Sequence, residues 1–155
     1  MADAKTTGKG RRSSTGVWSE DERAAMQEAT RERKRQARRD PATDRAAGEA
    51  EVLAKIASLP DRDRVIAERL HAVITSAAPA LAPRTWYGSP AYYLDGTLIC
   101  FFQETAKFKT RYVALGFSDK AHLDEGNVWP VGYAVMQLTP TDEERIAALV
   151  KQAMG

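Results

Sequence analysis

The sequence predicts an α+β fold, in which an antiparallel sheet of about four to five strands packs in two layers against helices, with an extra basic helix at the N-terminus. Three observations predict it. Apolar residues recur at helical spacing through residues 47–77 and again after residue 139, whereas strand-like runs fill the region between. An Asp-Gly pair at residues 95–96 separates two of those runs, as in a two-residue hairpin. With 155 residues, 43% of them hydrophobic, the chain is long enough for one core.

Charge divides the chain into a basic N-terminal arm, residues 1–45, and an α+β domain, residues 46–155. The arm holds 12 Lys and Arg against 8 Asp and Glu, whereas the domain holds 11 against 13. The first 16 residues contain almost no apolar side chains to bury, so we expect them to be disordered. The asymmetry favours a polyanion or an acidic protein surface as a partner of the arm.

An exposed helix over about residues 20–38 is predicted inside the arm. Ser19 and Glu22 have the spacing of a capping box, and few apolar residues follow them. The C-terminal end of this helix carries a candidate polyanion contact: Arg31, Arg33, Lys34, Arg35, Arg38 and Arg39. The alternative is a solvated helix that is held by ion pairs between residues three apart. Residues 40–43 are expected to end the helix and form a linker.

Two core helices are predicted next, over residues 47–59 and 61–77. Pro60 separates them, and Asp61 is placed to cap the second helix. Both predicted helices have an apolar stripe at helical spacing, so each is expected to pack on the sheet. A loop over residues 79–83 follows, because two prolines interrupt the helical period there.

The strands are predicted over residues 91–94, 97–102, 111–117 and 131–138. A two-residue turn at Asp-Gly pairs Leu94 with Thr97 and Tyr92 with Ile99, which places these four side chains on one face of the sheet. The second strand is apolar on both faces, which is typical of a central strand.

Two further connections and a closing helix complete the predicted domain. Residues 104–110 are expected to form a long connection, and residues 118–126 are expected to hold a short helical turn. The last helix begins at Thr139 and Pro140, since proline is favoured at the first helical position. Its apolar stripe consists of Ile146, Leu149, Val150 and Ala153.

Residues 84–93 join the predicted helices to the predicted sheet. Gly88 supplies an unusual backbone angle, and Pro90 starts the first strand. These features predict a structural pivot between the two layers. Aromatic and cationic side chains near it form the hypothetical rim of a concave cleft for an acidic or anionic partner: Arg84, Trp86, Tyr87, Tyr92, Lys107, Lys109 and Arg111. The alternative is that these aromatic residues belong to the core.

Several segments of the domain resemble the YdhG-like domain family. Residues 88–92, Gly-Ser-Pro-Ala-Tyr, resemble its Gly-x-Pro-Ala-aromatic motif, and the likeness continues at residues 100–102, 115–119 and 123–124. It extends over residues 49–153 and leaves out the arm. The resemblance implies a compact α+β domain of unknown biochemical function. Some members are labelled iron-chaperone or frataxin-like, which implies iron binding by clustered, exposed carboxylates, and no catalytic motif is implied.

A hard cation such as iron requires oxygen ligands that converge in space. The candidate ligands lie within seven residues: Asp119, His122, Asp124 and Glu125. A second, looser acidic surface on the helices consists of Glu49, Glu51, Asp61, Asp63 and Glu68. The alternative for both sets is the usual role of such residues in caps, turns and solvated helix faces.

The single cysteine, Cys100, forms no internal disulfide, which fits a reducing compartment. Its predicted strand is apolar, so a buried thiol is favoured over a nucleophile that pairs with His71 or His122. The sequence contains no nucleophile elbow, phosphate loop or dinucleotide fingerprint, so no enzyme activity is predicted. It also lacks a secretory signal and a membrane-spanning run, so we expect a cytoplasmic protein without a membrane partner.

Three functional hypotheses follow from the sequence. The first is a non-enzymatic cytoplasmic binding or accessory domain of the YdhG-like type, without a cofactor. The second is a frataxin-like iron-binding chaperone. The third is a nucleic-acid- or ribosome-associated protein that acts through residues 31–39. The oligomeric state stays open, because an exposed edge strand can pair with a second copy.

Overall fold

The computed structural model describes residues 19–38 and 41–155, without the side chains of residues 34–38 and 41. The chain divides into two units, Met1–Arg38 and Arg39–Gly155. The disorder predicted for the first 16 residues therefore concerns a segment outside the described residues.

The first unit contains helix α1, Glu20–Arg38, whose bounds agree with the prediction. The predicted capping box forms: the Ser19 N–H donates to Glu22 Oε1 at 3.3 Å, and the Glu22 N–H donates to Ser19 Oγ at 3.1 Å. Most described side chains of α1 are exposed, including Arg31 and Arg33. The other predicted polyanion contacts have side chains outside the described residues: Lys34, Arg35, Arg38 and Arg39.

The second unit is an α+β domain, which confirms the predicted fold class. Its helices are α2 Pro41–Ala57, α3 Asp61–Ala77, α4 Thr105–Phe108 and α5 Pro140–Ala153. Its strands are β1 Ala82–Trp86, β2 Ser89–Leu94, β3 Thr97–Gln103, β4 Val113–Phe117 and β5 Gly132–Val135. They form one antiparallel sheet in the order β1-β2-β3-β4-β5. Within the described part of the chain, no helix has both the length and the apolar character needed to span a membrane.

Helices α2, α3 and α5 and one face of the sheet enclose a single core. The helices contribute their predicted apolar stripes, which include Val52, Ile56, Ile66, Leu70, Ile146 and Val150. The sheet contributes Tyr92, Cys100, Phe102, Val113, Leu115, Phe117 and Val135. Burial of one large apolar side chain contributes about 1.5–3 kcal/mol to the free energy of folding. The buried stripes together therefore hold the helices on the sheet.

Helix α2 begins at Pro41 rather than near residue 47, so the predicted linker over residues 40–43 is wrong from Pro41 onward. Proline fits the first turn of a helix because its missing N–H has no intrahelical partner there. Arg45, one turn further on, donates from its guanidinium to the carbonyl oxygens of Pro79 and, at 3.0 Å, of Leu81. The arginine thereby joins the start of α2 to the segment that enters the sheet.

Residues 84–93 form a β-hairpin rather than the predicted pivot between layers. Strand β1, which the sequence analysis did not predict, pairs with β2, and Trp86 lies opposite Ser89. Tyr87 and Gly88 make the turn with φ values of 50° and 79°, and both positions of a type I′ turn require positive φ. Pro83 is tolerated because β1 is an edge strand, where an N–H can be missing.

A β-bulge changes the predicted register of the second hairpin. Leu94 pairs with Thr97 as predicted, but Tyr92 pairs with Cys100 instead of Ile99, because the register shifts between Tyr92 and Tyr93. A bulge places two residues of one strand opposite one residue of its partner. Tyr92 and Cys100 consequently both belong to the core, Ile99 is the extra residue at the bulge and also stays in the core, and Tyr93 and Phe101 lie outside the core cluster.

The connections after β3 differ from the prediction in two places. Residues 104–110, predicted as a plain connection, include the short helix α4. Residues 118–126, predicted to hold a helical turn, form turns and extended backbone, and the His122 N–H donates to the Ala153 carbonyl oxygen at 2.9 Å. This bond fastens the segment to the end of α5. Strands β4 and β5 are shorter than predicted, and α5 begins at Pro140 as predicted.

Candidate functional site: the open face of the sheet

The face of the sheet opposite the core is called the open face below. Side chains alternate between the two faces along a strand, and directly paired residues share a face. Since Tyr92 and Cys100 face the core, the pairing places on the open face Arg84, Trp86, Ser89, Ala91, Tyr93, Phe101, Gln103, Ala114, Gly116, Gly132 and Ala134. None of these residues belongs to the core cluster.

Aromatic rings form a contiguous row on this face. The rings of Trp86 and Phe101 lie 4.8 Å apart between centroids, and the Tyr87 ring meets Trp86 edge-on at 5.1 Å. The outer edge of the Phe101 ring lies directly over Gly116, where a Cβ atom would come within 2.5 Å of Cζ. Trp86 and Phe101 are half-buried and Tyr87 is 38% exposed, so parts of all three rings are open to solvent.

Two cations border the aromatic row. The Arg84 guanidinium carbon lies 3.8 Å from the centroid of the Tyr93 ring, so the ring orients the guanidinium and leaves its N–H edge for other partners. The Lys107 ammonium donates to the carbonyl oxygen of Tyr87 at 2.7 Å. Among the described residues, neither cation forms an ion pair with a carboxylate.

The remaining predicted cleft residues divide between this face and the interior. Lys109 and Arg111 are exposed in the connection from α4 to β4, at the end of the sheet that carries the Tyr87 turn. The Arg111 guanidinium carbon lies 5.6 Å from the centroid of the Tyr112 ring. Tyr92 is fully buried on the opposite face, so its assignment to the cleft is wrong. The reason is its position in the sheet: Tyr92 pairs with Cys100, and both side chains belong to the core cluster under the helices.

The acidic surface predicted on the helices is also wrong for Asp63. Its side chain is 2% exposed and accepts hydrogen bonds from the Thr105 N–H at 3.0 Å and the Ala106 N–H at 3.3 Å. Asp63 thus caps α4, which carries Lys107. Nearby, Glu104 is buried and pairs with Lys55 at 2.7 Å. These contacts fix the position of α4 beside the Tyr87 turn.

The other members of that acidic set have varied environments. Asp61 is the first residue of α3 rather than its cap, and it pairs with Arg64 at 3.0 Å on the surface. Glu51 accepts a hydrogen bond from the Thr85 hydroxyl at 3.3 Å, which ties α2 to β1. Glu49 and Glu68 are exposed. The set therefore forms no single surface.

The predicted metal ligands Asp119, His122, Asp124 and Glu125 are all exposed in the segment that precedes β5. Among the described residues, no group of three or more His, Cys, Asp or Glu side chains is arranged to hold a metal ion. The backbone of this segment is instead bonded to α5, and the His122 ring packs close to Gly155.

His71 and Tyr92 form a buried polar pair between α3 and the sheet, with 2.8 Å between His71 Nδ1 and the tyrosine hydroxyl. Burial lowers the pKa of His71 from its usual 6.5, and the nearby charge of Glu49 opposes that shift. Burial raises the pKa of Tyr92 well above its usual value. Both side chains are therefore neutral near pH 7, and the pair is a packing element that links helix and strand.

Cys100 is fully buried in the centre of the sheet, as the sequence predicts for an apolar strand. Burial raises the pKa of its thiol to about 12. A thiolate is required for nucleophilic attack. Cys100 therefore lacks both the charge and the access that a catalytic cysteine needs.

Two residues of the open face, Phe101 and Tyr93, were not predicted from the sequence. The predicted register omitted the bulge. Without the bulge, Phe101 would lie on the same face as Tyr92. Gly116 was the available signal. A glycine inside an apolar strand often marks a close approach, which is made here by the Phe101 ring.

Comparisons with protein-family models, with curated proteins and with solved structures gave no match to this chain. The YdhG-like resemblance consequently stays a prediction from the motifs.

Proposed function

We propose that the chain is a non-enzymatic binding domain, of the YdhG-like type that its motifs resemble, and that its open face binds an anionic ligand. One observation carries the proposal: Arg84 and Lys107 flank partly exposed aromatic rings and, within the described residues, have no carboxylate partner. Cations are usually paired or solvated, so oriented cations beside apolar surface favour binding of a negative group.

The geometry also supports binding rather than catalysis. Arg84 is oriented by the Tyr93 ring and Lys107 by a backbone carbonyl oxygen, so both positive charges are pre-positioned before a ligand arrives. Cys100 and the His71–Tyr92 pair, the candidates for nucleophile and base, are buried on the core side of the sheet. No step of bond making or breaking is therefore proposed.

The test is a titration of the full chain with two polyanions of different chemistry, polyglutamate and inorganic polyphosphate. The indole N–H resonance of Trp86, assigned with a Trp86→Phe variant, reports binding at the open face. We expect it to shift, and we expect the double variant Arg84→Gln, Lys107→Gln to bind at least about tenfold more weakly, since two charge-assisted contacts are lost.

The matched control is Arg64→Gln, which removes a charge from the helical side of the domain and leaves the open face intact. It is expected to leave the affinity unchanged. Failure of both polyanions to shift the Trp86 resonance would overturn the proposal, and so would binding by the double variant with the affinity of the native chain.

A second candidate function is contact with nucleic acid or the ribosome through α1. It is favoured by the exposure of Arg31 and Arg33 on α1, which leaves both charges accessible to phosphates. Binding that keeps its salt dependence after Arg31, Arg33, Lys34, Arg35, Arg38 and Arg39 are replaced by Ala would count against this function.

A further inference from the structure

We infer that the anionic ligand of the open face is a single-stranded nucleic acid, with one base stacked on Trp86 and the flanking phosphates bound by Arg84 and Lys107. This inference rests on the proposed function, because it requires that the open face bind an anion. It adds the chemical class of the ligand.

The order of charges and rings along the face carries the inference. Arg84 and Trp86 alternate on β1 and therefore lie on one face, about 7 Å apart along the strand. On the other side of Trp86 along the chain, Lys107 donates to the carbonyl oxygen of the next residue, Tyr87. A base that stacks on the indole has phosphates on both sides, and a cation stands on each of those sides.

The partly exposed rings distinguish a nucleic acid from an acidic peptide. A peptide carboxylate would use the two cations but leave the solvent-exposed parts of the Trp86, Phe101 and Tyr87 rings without a matching group. Bases have two π faces, and single strands are commonly bound by stacking on aromatic side chains beside positive charge. A duplex is disfavoured because its bases are already stacked and paired.

The part of the open face on β4 and β5, next to the aromatic row, supports the same ligand. On β4 and β5 the open face carries side chains no larger than a methyl group: Ala114, Gly116, Gly132 and Ala134. This surface continues from the edge of the Phe101 ring, which lies over Gly116. A planar group can lie flat there without meeting a projecting side chain, and an extended strand can continue across the sheet.

The arm provides an independent reason to prefer this class. Arg31 and Arg33 are exposed on α1. They belong to residues 31–39, which contain six Lys and Arg residues and one acidic residue, Glu32. Phosphates are the chemical group to which a helix of this composition and a cation-flanked aromatic face both bind. Each unit of the chain therefore carries a surface for the same polymer.

Fluorescence anisotropy with the full chain tests the inference. The probes are fluorescein-labelled single strands of DNA and of RNA, each about 10 nucleotides long, which is within the range that one small domain covers. Unlabelled polyglutamate is the competitor. The DNA and RNA probes show which type of single strand is preferred. A preference for RNA would indicate a contact with the 2′-hydroxyl.

Three tryptophan variants give the expected pattern. Trp86→Leu keeps apolar volume and removes the stacking face, so its Kd for the strands is expected to rise about tenfold or more. Trp86→Phe keeps a ring and is expected to stay within about threefold of the native value. Trp129→Leu, the control, removes the same ring from the segment before β5 and is expected to bind like the native chain. Thermal unfolding of each variant checks that it folds.

The double variant Arg84→Gln, Lys107→Gln provides a measurement that does not depend on Trp86. Loss of two phosphate contacts on a single strand is expected to reduce the slope of log Kd against log salt by about 1.4. This result keeps the inference testable if Trp86→Leu fails to fold.

The outcomes separate the inference from the function on which it rests. Native binding of both strands by Trp86→Leu, with efficient competition by polyglutamate, would overturn the inference and leave an acidic peptide as the ligand of the open face. Absence of any Trp86 response to strands, polyglutamate and polyphosphate would overturn the proposed function as well.

Discussion

The carboxylate of Asp63, on α3, accepts a hydrogen bond from the hydroxyl of Thr105, the first residue of α4, at 2.8 Å. The same carboxylate accepts from two backbone N–H groups of α4, whereas the N-cap residue Glu104 supplies no side-chain cap. A four-residue helix is too short to be stable alone. A side chain from another helix therefore holds α4, and with it Lys107, beside the Tyr87 turn.

Replacement of Asp63 by asparagine is predicted to destabilise the domain. The amide offers one accepting oxygen in place of two, and its NH₂ group would face the N–H donors of α4, so we expect a loss of about 1–3 kcal/mol in the free energy of unfolding. Urea denaturation measures it. Asp61→Asn is the matched control on the same helix, because Asp61 is exposed and is expected to contribute under about 0.5 kcal/mol. Equal losses in both variants would contradict the capping role.

Gly48→Ala is predicted to destabilise the domain although helix propensity favours alanine. Alanine in the middle of a helix is ordinarily better than glycine by about 1 kcal/mol. A Cβ atom at Gly48 in α2, however, would overlap the carbonyl oxygen of Pro83 in β1, which is backbone and cannot move aside alone. We expect a net loss of about 1–3 kcal/mol, measured by thermal or urea unfolding.

The control for Gly48 is Gly132→Ala, where the nearest atom to a new Cβ lies 4.0 Å away. It is expected to change the free energy of unfolding by under about 0.5 kcal/mol. A rise in stability for Gly48→Ala would show that α2 and β1 lie further apart than in the structure.

The fold could be predicted from the sequence wherever a local signal determines it. The capping box at Ser19, the apolar stripe of α5 and the Asp-Gly turn at residue 95 depend on residues a few positions apart, and all three agree with the structure. Strand β1 escaped prediction because Pro83 suggests a loop, and its acceptable place at a sheet edge depends on the order of the strands.

The candidate site was less predictable because it depends on contacts between distant residues. Tyr92 and Phe101 lie on opposite faces of the sheet only because of a bulge, and no residue type in this segment predicts that bulge. From the sequence, Asp63 resembles an ordinary surface carboxylate. Its capping role depends on Thr105, which lies 42 residues further along the chain. Arg84, Trp86 and Lys107 were identified by residue type, but strand pairing places Arg84 and Trp86 on one face, and a bond to the Tyr87 carbonyl oxygen brings Lys107 to the adjacent turn.

Acidification is predicted to weaken the domain through His71. Burial lowers its pKa in the folded state below the unfolded value near 6.5, so the unfolded chain binds the proton more tightly. The free energy of unfolding should therefore fall as the pH drops below about 6.5, and this contribution should level off below the lowered folded-state pKa. Urea denaturation between about pH 7.5 and pH 5.5 measures it.

His71→Gln is expected to reduce that pH dependence, since the titrating group is gone while the carboxylates are unchanged. The control is His122→Gln, which replaces the other histidine, an exposed one, and leaves His71 in place. We expect the control to keep the native pH dependence. The same slope in His71→Gln as in the native chain would show that His71 is not the titrating group.

Cys100 is predicted to resist alkylation in the folded protein. With the pKa of the thiol raised from 9.0 to about 12, the thiolate fraction near pH 8 falls about a thousandfold, and the fully buried side chain adds a barrier to access. We expect iodoacetamide to label Cys100 only as fast as the domain opens, and to label it fully once denaturant is added. Mass spectrometry of the intact chain counts the label. Because labelling then follows opening, Asp63→Asn should accelerate it and Asp61→Asn should not. Native-state labelling at the rate of a free thiol would contradict this burial and make Cys100 a candidate nucleophile.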